Sequence, residues 1–184
     1  MEWTLSELRR FEDESMHLQR TLDLSNAMKE RFPQQILAVS PVEVDGFVTY
    51  DRGDATIAMQ IKTTVTVPST RSLLPVELRL AFSFTESYTS DRDHLDRYDT
   101  ENDLVFVLAD SQTPIKFDEA VMENIIEQIP SRVLTPEEQA GTSMPNGKGW
   151  DVKEEGATDQ ETINTVDPRL AKLKELFPDQ DKED

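Results

Sequence analysis

The sequence predicts an α+β fold in which helices cover a mostly antiparallel sheet and a flexible C-terminal tail follows. Two stretches of alternating apolar residues predict the sheet, because successive side chains of a strand point to opposite faces. A wide apolar stripe at helical spacing in residues 117–129 predicts the covering helix. Apolar residues become sparse after residue 134, which predicts the tail. A sheet curled into a partial barrel stays open as an alternative.

The two alternating stretches form a predicted hairpin. Between residues 55 and 67 nearly all odd positions are apolar, and between residues 76 and 84 the even positions are apolar. A loop bounded by Pro68 and Pro75 joins them. A third strand is expected within residues 36–50, where Gly46 predicts a bulge. The turn residues Asp-Arg-Gly-Asp at 51–54 connect it to the hairpin, so the three strands form a meander.

Shorter patterns predict the remaining elements. Thr4 and Glu7 have capping-box spacing, so a helix is expected from Leu5 to about residue 12. Weak alternation in residues 17–24 indicates a strand, and residues 26–32 indicate a short helix that ends before Pro33. The apolar run at 104–108 is typical of a strand covered on both faces.

The length of 184 residues is sufficient for one domain, expected at 1–134, with a tail at 135–184. Near residues 168–177 the tail carries a short amphipathic helical pattern, with Asp167 as the expected N-cap and Pro178 as the stop. No apolar run reaches the roughly 18 residues that a membrane span needs. The N-terminus has no signal-peptide pattern, so we expect a cytoplasmic protein without membrane contact.

The charge of the chain favours a basic protein partner or no macromolecular partner at all, and an acidity that only keeps the protein soluble is the alternative interpretation. There are 37 acidic and 19 basic residues, which gives a formal net charge of −18. Phosphate backbones and anionic membranes repel such a chain unless a local patch reverses the field. Direct RNA contact therefore stays open only where a basic patch exists. The composition does not indicate an oligomeric state.

No pattern predicts catalysis, a cofactor or a metal site. There is no cysteine, and His17 and His94 have no second histidine at ligand spacing. A Gly-rich phosphate loop and a Gly-x-Ser-x-Gly motif are both missing from the sequence. The acidic segment 91–103 fails the EF-hand template, because the sixth position is not glycine from either Asp91 or Asp99. A solvated acidic loop is favoured there, with cation binding as the alternative.

The predicted hairpin is the least acidic part of the chain and is our candidate partner-binding site. Between residues 55 and 85 the only acid is Glu77, against the three bases Lys62, Arg71 and Arg79. Lys62 and Arg79 fall on the polar face of the strands, and Arg71 falls in the loop. An ordinary solvated face with scattered charges is the alternative interpretation.

Four blocks of sequence resemble the YceD family, the large ribosomal RNA subunit accumulation proteins. The blocks are Trp3-Thr4-Leu5-Ser6-Glu7-Leu8, then Leu22-Asp23-Leu24-Ser25 with Ser40-Pro41-Val42, then residues 67–77 around Arg71, and finally Val166-Asp167-Pro168-Arg169-Leu170-Ala171-Lys172-Leu173. They occur in the family's order and span nearly the whole chain.

The chain lacks cysteines that many members of this family carry. Where the family often has Cys-x-Arg-Cys, this chain has Ser69-Thr70-Arg71-Ser72. Further family cysteines correspond to Thr135, Gln139, Ser143 and Asn146. Zinc needs thiolate, imidazole or carboxylate ligands, so no zinc site is expected from these positions. Any function of the loop is then neither metal nor redox chemistry.

The resemblance implies a non-enzymatic role in large-subunit ribosomal RNA accumulation and ribosome biogenesis. Combined with the acidic charge, it favours contacts with a basic ribosomal protein or RNA processing factor. The alternative function is an acidic interaction module for a basic protein unrelated to ribosomes.

Overall fold

The computed structural model describes residues 1–99, 101–141 and 146–152. The chain divides into two compact units with a boundary after Thr135, and each unit is described by itself. The helix predicted near residues 168–177 and the closing family block at 166–173 lie outside the described residues.

The secondary structure mixes helices and strands, as the α+β prediction requires. The first unit contains, in chain order, β1 (Glu2–Trp3), α1 (Leu5–Leu8), a 3₁₀ helix (Arg9–Phe11), β2 (Met16–Leu22), α2 (Ser25–Arg31), β3 (Ala38–Val39), β4 (Val42–Asp51), β5 (Asp54–Pro68), β6 (Pro75–Thr89), a second 3₁₀ helix (Arg92–Arg97), β7 (Val105–Val107), β8 (Ile115–Lys116) and α3 (Phe117–Glu127). The described part of the second unit contains α4 (Pro136–Gln139), β9 (Asn146–Gly147) and β10 (Trp150–Asp151).

The main sheet is mixed, which corrects the prediction of a mostly antiparallel sheet. Its strand order is β2-β4-β5-β6-β7, with β3 also paired to β5. The β6–β7 pair is parallel, whereas the other pairs of this sheet are antiparallel. Residues 90–104 provide a connection long enough for the chain to return and run alongside β6 in the same direction. The strand path of the described residues does not close into a barrel.

The predicted hairpin is the longest ladder of the sheet. Its register runs without interruption from Ala55 opposite Tyr88 to Pro68 opposite Pro75. The odd positions of β5 are buried, as the alternation predicts. We call the face that carries them the inner face and the opposite face the outer face. The preceding turn has positive φ at Arg52 (49°) and Gly53 (99°), as a two-residue type I′ turn requires.

Helices pack on the inner face and complete the core. The fully buried side chains of α3 are Phe117, Val121 and Ile125, which join the same apolar cluster as the inner-face residues of the sheet. The predicted covering role of this helix is therefore confirmed. Leu5 and Leu8 of α1 belong to the same cluster. The capping box is formed as predicted: the Thr4 amide donates to Glu7 Oε2 over 2.9 Å, and Thr4 Oγ1 accepts from the Glu7 amide.

Gly46 does not form the predicted bulge. It pairs one-to-one with Met59 on β5 and with Leu18 on β2. Its role is close packing instead, because a Cβ atom at this position would lie 2.1 Å from the carbonyl oxygen of Ala58 and 2.8 Å from the Cα of Met59. The absence of a side chain allows β4 and β5 to approach at this point.

The run at 104–108 is not covered on both faces, so that prediction was wrong. Leu104, Phe106 and Val107 are 49%, 37% and 39% exposed. The reason is the position of β7 at the end of the strand order, where its side chains have strand neighbours on one side only among the described residues.

The acidic segment after β6 is attached to the sheet through Asp54, which is buried. His94 Nδ1 lies 2.7 Å from Asp54 Oδ1, and the Tyr98 hydroxyl donates to Asp54 Oδ2 over 3.0 Å. The guanidinium of Arg97 lies 3.5 Å from the same carboxylate. Burial, followed by the hydrogen bond to Asp54, raises the pKa of Tyr98 to about 12. The segment is thus an anchored 3₁₀ helix with exposed acids, rather than only a solvated loop.

Gly46→Ala should destabilise the sheet by about 3 kcal/mol, because the added methyl group collides with the backbone of β5. Urea unfolding followed by circular dichroism measures this change. Thr49→Ala, at an exposed position of the same strand, should stay within about 0.5 kcal/mol of the wild type. Equal stability of both variants would contradict the close packing assigned to Gly46.

Asp54→Ala should cost about 2–3 kcal/mol, because His94, Tyr98 and Arg97 all lose their shared acceptor. The same unfolding measurement applies. Asp51→Ala is the matched control, since Asp51 lies in the same turn and its side chain is 84% exposed. An Asp54 variant as stable as the Asp51 variant would mean that the anchor contributes nothing.

Candidate interaction surface

The outer face places two of the three predicted site residues next to each other. Lys62 on β5 is opposite Ala81, and Arg79 on β6 is opposite Thr64. Lys62 and Arg79 are therefore diagonal neighbours on one face, within reach of a single ligand. Both side chains are exposed.

The same face also carries acids, so it is not a basic patch. Glu43 on β4 lies directly opposite Lys62, and Glu77 lies two residues from Arg79 on β6. Counting charged residues along the sequence missed Glu43, because Glu43 lies on β4, before residues 55–85. Strand pairing alone brings it next to Lys62. The outer face is a surface of interspersed charges of both signs.

A shallow polar depression of about 630 Å³ lies across β2, β4 and β5 on this face. Its lining includes Gln19, Glu43, Gln60 and Lys62. At its border, Asp45 Oδ1 lies 2.7 Å from His17 Nε2. Amides, carboxylates and an ammonium group at one surface suit hydrogen bonding to a polar partner.

Arg71 lies apart from Lys62 and Arg79, in the loop that ends the hairpin. Arg79 is four residues from Pro75, which corresponds to about 13 Å along a strand. The pairing of Pro68 with Pro75 places the loop beyond that point. Arg71 is half-buried. The three predicted residues therefore occupy two neighbouring regions rather than one cluster.

The loop is held by hydrogen bonds at the position of a missing family cysteine. Ser69 is fully buried, and its Oγ accepts from the amides of Arg71 (3.1 Å) and Ser72 (3.3 Å). Thr70 donates its amide and its hydroxyl to the Val133 carbonyl over 2.8 and 2.9 Å. Hydroxyl and amide contacts thus define the shape of the loop.

Two leucines at the tip of the loop were missed by the sequence analysis. Leu73 is 73% exposed with φ of 61°, and Leu74 is 57% exposed. An apolar groove of about 280 Å³ lies near the base of this loop, with Val67, Ile129 and Val133 among its lining residues. The pair Leu-Leu before Pro75, in an otherwise polar loop, was the available signal.

A buried acid on the inner face was also missed. Glu86 is 2% exposed and accepts hydrogen bonds from the Tyr88 hydroxyl and from Asn124 Nδ2, the latter over 2.6 Å. Burial, followed by the hydrogen bond to Glu86, raises the pKa of Tyr88. Among the described residues no cation pairs with Glu86. The signal was a glutamate in the inward phase of β6, two residues after Phe84.

The described residues provide neither a metal-binding cluster nor a membrane-spanning helix. No group of three or more His, Asp or Glu side chains in the described ranges could hold a metal ion. Within the same ranges, no helix has the length and apolar character needed to cross a membrane.

Comparisons with known proteins identify the family. The model of a family described as large ribosomal RNA subunit accumulation protein YceD matches residues 57–177. The chain is 28% identical over 187 aligned residues to the uncharacterized protein YlbN of Bacillus subtilis (strain 168), with 99% of each chain covered. No solved structure matches the chain. Because the family model spans well over half of the sequence, this chain belongs to the YceD family, as its sequence blocks predicted.

Proposed function

We propose that this protein is a non-enzymatic cytoplasmic factor that supports large-subunit ribosomal RNA accumulation and ribosome biogenesis through protein contacts. The observation that carries the proposal is the family match over residues 57–177, because the family's description names large ribosomal RNA subunit accumulation. The matched segment begins in β5 and includes the whole of β6, the hairpin loop and α3.

Electrostatics support a protein partner rather than RNA. The formal charge of −18 repels phosphate. In addition, the acids Glu43 and Glu77 lie next to Lys62 and Arg79 on the least acidic surface. Ribosomal proteins and RNA processing factors are commonly basic and would be attracted by this field. A partner with its own interspersed charges fits the outer face around Lys62 and Arg79. Arg71 provides a further contact at the loop.

The second candidate is an acidic module that binds a basic protein unrelated to ribosomes. The net charge of −18 supports this candidate as well, and the candidate does not depend on the family description. The two candidates differ in what happens to ribosomal RNA when the protein is missing.

Deletion of the gene should lower the level of mature large-subunit ribosomal RNA relative to small-subunit RNA. Gel or sequencing analysis of total RNA measures both species together with their precursors. A plasmid copy of the wild-type gene should restore the ratio. Unchanged precursor and mature RNA in the deletion strain would favour the unrelated module.

Arg79→Glu should weaken complementation of that deletion while the protein keeps its wild-type unfolding midpoint, since Arg79 is exposed and its change reverses one charge on the outer face. Arg71→Glu tests the loop in the same assay. Lys29→Glu is the matched control, because Lys29 is exposed on α2 and makes the same charge change away from the outer face. Full complementation by both the Arg79 and Arg71 variants would remove these residues from the contact site.

A further inference from the structure

The free edge of β7 is a backbone surface able to accept another strand. On its paired side, the Ser87 amide donates to the Leu104 carbonyl over 2.9 Å, and the Leu108 amide donates to the Thr89 carbonyl over 2.7 Å. In a parallel pair, alternate residues of a strand direct both backbone groups to the same neighbour. The backbone groups of Val105 and Val107 therefore point away from β6. No strand in the described part of the chain uses that edge.

This edge lacks the charges that usually protect an edge strand. The opposite edge, β2, contains His17 and Arg20, whereas β7 reads Val-Phe-Val between two leucines. Lysine or arginine on an edge discourages pairing with other chains, and exposed apolar edges invite it. The sequence pattern is that of a covered strand, yet much of its apolar surface is uncovered.

A cavity with an acidic wall opens beside this edge. It has a volume of about 210 Å³ and is lined by Phe106 and Leu108 on the side of β7. The facing wall includes Glu86, Glu119 and Glu123. Arg31 pairs with both Glu119 and Glu123, so Glu86 is the acid of this wall that has no ion-pair partner among the described residues. Lys116 also lines the cavity, but its ammonium group is engaged by Glu119 over 2.9 Å. A carboxylate that is buried without a cation gains most from a partner that supplies one.

The charged residues that flank β7 in the sequence also favour a partner with positive charge. Asp99, Glu101 and Asp103 precede the strand, Asp110 follows it, and all four are exposed. A second copy of this chain would bring the same acids against this rim, and its own charge of −18 opposes such a pairing. A basic extended segment complements both the rim and the cavity.

We propose that the free edge of β7 binds an extended basic segment of a partner protein by adding it to the main sheet as a further strand. Alternate side chains of the segment lie beside Val105 and Val107 on the outer face and are apolar. The side chains between them face Phe106 and the cavity, where a lysine or arginine pairs with Glu86. This inference rests on the proposed function only for the identity of the partner as a basic ribosome-biogenesis protein.

The test uses the full chain and a fluorescent peptide of alternating lysine and valine, with a glutamate–valine peptide of the same length as the charge control. Fluorescence anisotropy should show binding of the lysine peptide to the wild type. Val107→Pro should weaken that binding at least tenfold, because proline removes an amide that faces the free edge. Glu86→Gln should weaken it severalfold. Phe47→Ser, at an exposed apolar residue elsewhere in the sheet, should bind like the wild type.

A second measurement does not depend on how the variants fold. Amide hydrogen exchange of the wild type should slow at Val105 and Val107 when the lysine peptide is added. The proposal is overturned if the lysine peptide does not bind, if the glutamate peptide binds equally well, or if Val107→Pro leaves the affinity unchanged. Another outcome is that the wild type forms dimers in a concentration-dependent way that Val107→Pro abolishes. That result would assign the edge to a second copy of this chain and would also overturn the proposal.

Complementation separates this inference from the proposed function. If deletion lowers large-subunit ribosomal RNA and Val107→Pro restores it fully, the function stands and the β7 site fails. If deletion leaves the RNA unchanged while the peptide experiments succeed, the β7 site stands and the ribosomal function fails.

Discussion

The antiparallel ladder between β5 and β6 is the constraint on which the rest of the structure depends. A register shift of one residue would move every side chain of a strand to the other face. The uninterrupted pairing from Ala55 to Pro68 therefore decides at once which residues form the core and which face outward. It makes Lys62 and Arg79 neighbours, and it directs Glu86 inward. Helix α3 then has a single apolar face on which to pack.

In the first unit two carboxylates, Asp54 and Glu86, are buried beside the mainly apolar core, and they are satisfied in different ways. Asp54 lies near two basic side chains and accepts a phenolic hydrogen bond, so its charge has partners within the described chain. Glu86 has only neutral donors, Tyr88 and Asn124. Removing a carboxylate from water costs several kcal/mol unless a cation compensates. Asp54 thus acts as an anchor, whereas Glu86 is held by two neutral hydrogen-bond donors next to an open cavity.

The sequence predicted what local pattern determines and missed what depends on distant strands. Alternation located β5 and β6, and turn chemistry located residues 51–54, because both signals are local. The parallel β6–β7 pair and the exposure of Phe106 depend on how residues 90–104 return, and no short pattern encodes that. Gly46 was recognised as unusual, but a glycine within a strand is expected both at a bulge and where two strands approach closely. A single sequence does not distinguish these two cases. His94 looked solitary because its partner, Asp54, lies 40 residues earlier.

The candidate surfaces show the same division between local and distant information. The alternation placed Lys62 and Arg79 correctly on an exposed face, yet counting charge along the chain overstated how basic that face is, since Glu43 arrives from β4. With the acids included, the outer face offers no continuous basic track for a phosphate backbone. In the function proposed above, this chain supports ribosomal RNA accumulation by contacting proteins that bind RNA themselves. Such proteins carry the positive charge that this acidic chain lacks, which reconciles the family's description with a charge of −18.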